Sequence, residues 1–187
     1  MRTLAVFASG NGTNFENIVT SRIEGASVEL LVTDKICNAL NIARQYGIES
    51  CTFMRKDYES KEQMEKAIAS VLVEKDIDLI VLAGYMRLLS PWFVQRFSGR
   101  IINIHPSLLP HYKGKDAIGQ AIEDRKRIYG VTVHYVNEGM DEGKIIEQVT
   151  VPYDGFDAVE LEKRVHECEY ELYPKVIAHL CDQGDIQ

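Results

Sequence analysis

"IINIHPSLLPHY", residues 101–112, settles what kind of sheet this chain builds. Two branched apolar residues open it, as in a buried strand, and two prolines then stop regular structure. Asn103 and His105 interrupt the apolar run two positions apart, so both side chains leave the same face of the strand. Both can donate hydrogen bonds. In open parallel sheets, ligands bind outside the carboxyl ends of the strands, and this pair stands at such an end.

The neighbouring sequence repeats the pattern. Short apolar runs at residues 4–8, 28–33, 51–54, 78–84 and 100–104 read as strands, and helical periodicity fills 14–22, 38–46, 60–74 and 91–97. In 60–74, Met64, Ile68, Val71 and Leu72 form one stripe, while Lys61, Glu62, Glu65 and Lys66 are expected to face water. Ser60 reads as its N-cap, with Gln63 as a capping-box partner. Past Tyr112 the rhythm changes. Residues 129–136 and 144–151 alternate around a glycine-rich turn, as an antiparallel pair would. A long helix follows over 158–180, which Pro174 is expected to kink or interrupt. The fold expected is α/β: a doubly wound, mostly parallel sheet with helices on both faces and an antiparallel strand pair toward the C-terminal part. Residues 1–187 read as a single domain.

A net charge of −7 argues against a nucleic-acid partner, which demands a basic face. It leaves room for a local basic pocket that takes a small anion. Cys37, Cys51, Cys168 and Cys181 form no C-x-x-C pair and no zinc spacing, so no metal is expected and the thiols read as reduced. The apolar run near the N-terminus is too short for a signal peptide, and no stretch reaches the ~18 apolar residues of a membrane span. A cytoplasmic protein without a membrane partner is expected.

"SGNGTN", residues 9–14, joins the first strand to the first helix. Gly10 and Gly12 permit tight turns, and backbone N–H groups at a helix start hold anions. Asp34 lies where a dinucleotide fold keeps its ribose-binding acid. Phe15, however, occupies the place where that fingerprint needs a small residue, which argues against nicotinamide. Asn11, Thr13 and Asn14 add polar side chains, so the nest suits one phosphate. Farther along, His134 lies in the first strand of the antiparallel pair and Asp141 in the glycine-flanked loop after it. A carboxylate beside His105 would keep the imidazole cationic. Amide, imidazolium and carboxylate together suit addition of a nucleophile to a carbonyl carbon. No activated Ser or Cys accompanies them, so direct transfer between two bound substrates is the simpler chemistry.

"SGNGTN", "VLAGYMRLLS", "INIHPSLLP", "GVTVHYV", "MDEGKII" and "RVHECEYELYP" occur in order over nearly the whole chain. Together they resemble the phosphoribosylglycinamide formyltransferase family. The resemblance implies transfer of formyl from the co-substrate 10-formyltetrahydrofolate to the amine of glycinamide ribonucleotide. Asn103, His105 and Asp141 would be catalytic, with His134 supporting them. Gly10, Asn11, Gly12, Thr13 and Asn14 would hold the ribose phosphate, and Glu169 the ribose hydroxyls. Met86, Arg87, Leu88 and Leu89 would line the folate site, and Lys61 would stand near its glutamate tail. It also implies a phosphate-binding half up to about residue 100, a folate-binding and catalytic half after it, and a monomer or homodimer.

Two departures from the family pattern stand out. Lys113 replaces a proline after "LLP", which leaves the geometry of residues 112–116 open. Lys61 offers a point charge where an arginine would grip a carboxylate with two bonds. Three rivals remain. Methionyl-tRNA formyltransferase would need a basic C-terminal domain, and this sequence ends in acidic "CDQGDIQ". A formyltetrahydrofolate hydrolase usually carries a regulatory segment ahead of a first strand that is expected here at residue 4. A non-catalytic nucleotide-binding module would have no use for Asn103, His105 and Asp141 together.

Overall fold

Leu4, Val6 and Ala8 alternate with Ala5 and Phe7 along the first strand, and the two sets enter separate apolar clusters. That alternation explains why the strand is apolar throughout: both faces of the sheet are covered. The computed structural model describes residues 1–125 and 127–183, and the side chain of Gln183 is not included. In chain order the elements are β1 (Arg2–Ala8), α1 (Thr13–Thr20), β2 (Ala26–Thr33), α2 (Ala39–Tyr46), β3 (Glu49–Thr52), α3 (Lys61–Glu74), β4 (Leu79–Leu82), α4 (Pro91–Arg96), β5 (Ile101–His105), α5 (Ala117–Asp124), β6 (Gly130–Tyr135), β7 (Ile145–Thr150) and α6 (Ala158–Gln183).

The sheet runs β3-β2-β1-β4-β5-β6-β7. β3 through β5 pair in parallel, while β6 and β7 extend the sheet antiparallel. The expected fold class is the one found. The order of winding reverses between β1 and β4, which opens a crevice at their carboxyl ends. Side chains of α1, α2, α5 and α6 close one face. Those of α3 and α4 close the other. The Tyr173 hydroxyl, buried under α6, donates to the carbonyls of Leu82 at 2.8 Å and Ile102 at 3.3 Å, and so spans β4 and β5.

Two local expectations are corrected and one helix is added. Glu65 is buried, at 1% exposure, because Ser90 at the start of α4 gives it both a backbone N–H and a hydroxyl. α5, with Asp116 as its cap, was not anticipated. Pro174 does not interrupt α6, which stays helical from Ala158 to Gln183. The carbonyl of Tyr170, which Pro174 has no N–H to satisfy, accepts instead from Asn17 Nδ2 at 2.9 Å. The capping-box residue Gln63 also reaches back, to the N–H of Glu59 at 2.9 Å, while the Gln63 N–H donates to Ser60 Oγ at 3.0 Å.

Candidate active site

Of the residues of β5, only Ile101 joins the cluster under α3 and α4. Asn103 and His105 follow it on that face, and β6 sets His134 opposite Asn103 and Thr132 opposite His105. Directly opposed residues share a face. Ile102, Ile104, Val131 and Val133 point the other way, into the cluster beneath α6. Two strands thus hold four polar side chains on one face where the helical layer ends. The chain after β5 and the loop after β6 fold over them.

Asp141 comes from that second loop, in a left-handed conformation with φ 53°. Its Oδ2 lies 3.5 Å from His105 Nδ1 and its Oδ1 lies 3.6 Å from His134 Nε2. Asn103 Nδ2 approaches His134 Nε2 at 3.3 Å. Burial works against the Asp141 charge, but the His134 ring, the Gly114 N–H at 2.8 Å and the His105 charge together hold the carboxyl below its ordinary range. His105 Nε2 lies 2.8 Å from the Tyr112 carbonyl, which can only accept, so that nitrogen carries a proton. The other ring nitrogen faces a carboxylate. A ring flanked by two acceptors is satisfied when both nitrogens are protonated. All four expected residues therefore meet at one place.

Three partners of this centre were missed. Tyr112 fixes the His105 ring through its carbonyl, which no side-chain pattern announces. Thr132, fully buried, accepts from Leu109 N–H at 3.1 Å and donates to the Ser107 carbonyl at 2.6 Å. Gln148 Nε2 donates to Thr132 Oγ1 at 2.7 Å and to the Leu109 carbonyl at 2.9 Å. Thr132 was legible: it alternates with Val131 and Val133 as His134 does. The 112–116 segment is pinned by Tyr112 and Gly114, and Lys113 Nζ reaches Glu142 Oε1 at 2.8 Å.

The nest after β1 is shaped by close approach. Gly12 has φ 78°, and a Cβ there would lie 2.8 Å from Ala39 Cα. Asn38 Nδ2 holds the Asn11 carbonyl at 3.0 Å, and the Ala39 N–H approaches the Gly10 carbonyl at 3.3 Å. Gly10, Asn11 and Thr13 are exposed beside the first turn of α1, whose opening N–H groups have no partner within the helix. Asn14 Nδ2 donates to Glu169 Oε2 at 2.9 Å, which joins the nest to α6. Asn14 Oδ1 is buried with no hydrogen-bond partner among the described residues. Burial pushes the Glu169 carboxyl up, against the Asn14 amide and the His166 charge, which favour its ionised form.

Met86, Arg87, Leu88, Leu89 and Lys61 line one cleft of about 340 Å³, together with Arg55, Tyr85 and Glu65. Leu88 is 55% exposed and Met86 68%, so neither is core, whereas Leu89 is buried. Arg87 Nε donates to Asp34 Oδ2 at 2.8 Å. Asp34 therefore anchors an arginine through Oδ2, while its Oδ1 is buried with no hydrogen-bond partner among the described residues.

A profile of the formyl transferase family matches residues 2–177. The chain belongs to the formyl transferase family. It is 48% identical over 185 residues to phosphoribosylglycinamide formyltransferase of Bacillus subtilis, covering 96% of this chain and 95% of that one. Glycinamide ribonucleotide transformylase 1 of Geobacillus kaustophilus has the same fold, with a TM-score of 0.93, 47% identity, and coverage of 97% of this chain and 99% of that one. The trifunctional purine biosynthetic protein adenosine-3 of Homo sapiens is 38% identical over 189 residues, which span 98% of this chain and 19% of that longer protein. This formyl transferase is accordingly an enzyme of one-carbon transfer. No helix among its described residues is long and apolar enough to cross a membrane.

Proposed function

We propose that the protein transfers the formyl group of 10-formyltetrahydrofolate to the amine of 5-phosphoribosylglycinamide, a step in the synthesis of purines. One observation carries the reading: Asp141 lies between His105 and His134, at 3.5 and 3.6 Å, with the Asn103 amide 3.3 Å from His134. This is a set of donors for a carbonyl oxygen with a base beside it.

An amide nitrogen has two N–H groups, so Asn103 has an N–H to offer a ligand beside His134. The Tyr112 carbonyl holds the His105 ring through Nε2. At 3.5 Å from Asp141, the Nδ1–H makes no close hydrogen bond and is left to donate to a formyl oxygen. As the glycinamide amine attacks, a C–N bond forms and negative charge grows on that oxygen, where both donors stabilise it. Asp141 accepts, through water, the proton that the new ammonium sheds. A proton is delivered to the folate N10 as its bond to the formyl carbon breaks.

The nest at 10–14 takes the phosphate, and Glu169 with the unpartnered Asn14 oxygen takes the ribose hydroxyls. Met86, Arg87, Leu88 and Leu89 give the folate an apolar wall with backbone groups for its pterin edge, and Lys61 serves the tail. On this reading the whole chain is one catalytic domain, with the phosphate held from its first half and the chemistry set by its second.

Loss of formyl from 10-formyldideazafolate, followed by absorbance, is expected only when glycinamide ribonucleotide is present. Release without the ribonucleotide would make the enzyme a hydrolase. No release in either case would leave nucleotide binding as its role. His105→Ala is expected to cut turnover by at least about a hundredfold, and near-normal turnover would remove His105 from the mechanism.

A further inference from the structure

The helix that opens with the anion nest is tied to α6 at two points. Asn14 Nδ2 reaches Glu169 Oε2 at 2.9 Å, and Asn17 Nδ2 reaches the Tyr170 carbonyl, also at 2.9 Å. The second bond originates in the sequence of α6. In a helix the carbonyl of residue 170 accepts from the N–H of residue 174, and proline has no N–H. Asn17 supplies the missing donor from another helix. Asn14 and Asn17 are three apart, so they stand on one face of α1, and their partners are adjacent in α6. Between them, Phe15 and Ile18 pack in the same cluster as Leu172, Tyr173 and Val176.

We propose that Asn17 is a positioning residue for the acceptor substrate. By bonding the carbonyl that Pro174 leaves open, it holds α1, and the nest at its start, at a fixed separation from Glu169. This rests on the reading of the nest and Glu169 as phosphate and ribose sites. A ribose phosphate has a set distance between its phosphate and its hydroxyls, and the groups that receive them belong to elements 155 residues apart. The Asn14–Glu169 bond lies inside the site and competes with the ribose for the carboxylate. The Asn17 bond lies one helical turn away, where the substrate does not disturb it.

The test is steady-state kinetics of formyl transfer on the full chain, varying each substrate in turn. Asn17→Ala is expected to raise the KM for glycinamide ribonucleotide about three- to tenfold, the worth of one hydrogen bond. It should leave kcat and the KM for the formyl folate unchanged. Asn17→Asp, which keeps the shape and loses the donor, should do the same, and serves if the alanine variant folds poorly. Pro174→Ala restores an N–H to the Tyr170 carbonyl, so in that background the effect of Asn17→Ala should shrink. If the parent enzyme transfers formyl but the acceptor KM does not respond to Asn17, or both KM values rise alike, the proposal is overturned. An Asn17 effect of equal size with and without Pro174 overturns it as well. A parent enzyme that transfers no formyl at all refutes instead the functional reading beneath it.

Discussion

Asp141 serves two imidazoles with one carboxylate, and its protonation decides whether the centre holds together. Burial alone would raise it, but the His134 ring, the Gly114 N–H and the His105 charge prevail and lower it. A lowered carboxyl stabilises the fold above its unfolded pKa, about 3.9, and that stability is lost as pH falls through the folded value. Formyl transfer should therefore keep its Asp141 charge down to below about pH 3.9. Asp141→Asn is expected to cut kcat at neutral pH by at least about a hundredfold. The gap in urea midpoint between variant and parent should close as the pH is taken below that range. A pH–rate profile and urea titrations check both, and a variant with near-parental kcat would exclude Asp141 as the base. At this scale much was legible. Asn103 and His105 break an apolar alternation, and His134 breaks the next. The distances from Asp141 to both rings were not legible, because they depend on a left-handed residue in a loop that folds back over two strands.

α3 and α4 meet through Glu65, which accepts from the backbone and hydroxyl of Ser90, while Ser90 Oγ accepts from the Phe93 N–H at 3.2 Å and caps α4. Glu65→Leu leaves those half-buried donors without an acceptor and is expected to cost about 1 kcal/mol or more. Denaturant unfolding would show it as a lower midpoint at unchanged slope; an unchanged midpoint would mean that water replaces the carboxylate at no cost. The local pattern misassigned Glu65 because it shares an arc with Lys61, Glu62 and Lys66, and its partner lies 25 residues away. Pro174 was misread for the same kind of reason. A proline ends a helix when nothing else satisfies the open carbonyl, and Asn17 is invisible from within α6. α5 is only eight residues long, with a glycine inside it, so its periodicity is too short to stand out.

Over the whole molecule, the proposed ribose contact is set against stability at Glu169. Burial pushes its carboxyl up, so at pH values between the unfolded and folded pKa the folded chain holds a proton that the unfolded chain releases. Stability then falls as pH rises from the unfolded value, about 4.3, through the folded one. Glu169→Gln is expected to melt at a higher temperature than the parent at pH 8, with the gap closing toward about pH 4.3. The same variant should raise the acceptor KM by at least about tenfold, as for a lost bond to a charged group. Thermal melts across pH with parallel kinetics decide it, and a variant less stable than the parent at pH 8 would contradict the sign. The sheet's parallel core and antiparallel extension could be read from apolar runs and alternation; the helix that completes it adds a temporal property. Tyr173 bolts β4 to β5 from α6, which follows β7 in the chain. A growing chain that has emerged only as far as Thr150 already carries Asn103, His105, His134 and Asp141. That face of its sheet then has α1, α2 and α5 but still lacks the α6 side chains Leu172, Tyr173, Val176 and Ile177. A ribosome that stalls after β7 thus leaves part of an apolar sheet face exposed until α6 emerges to cover it.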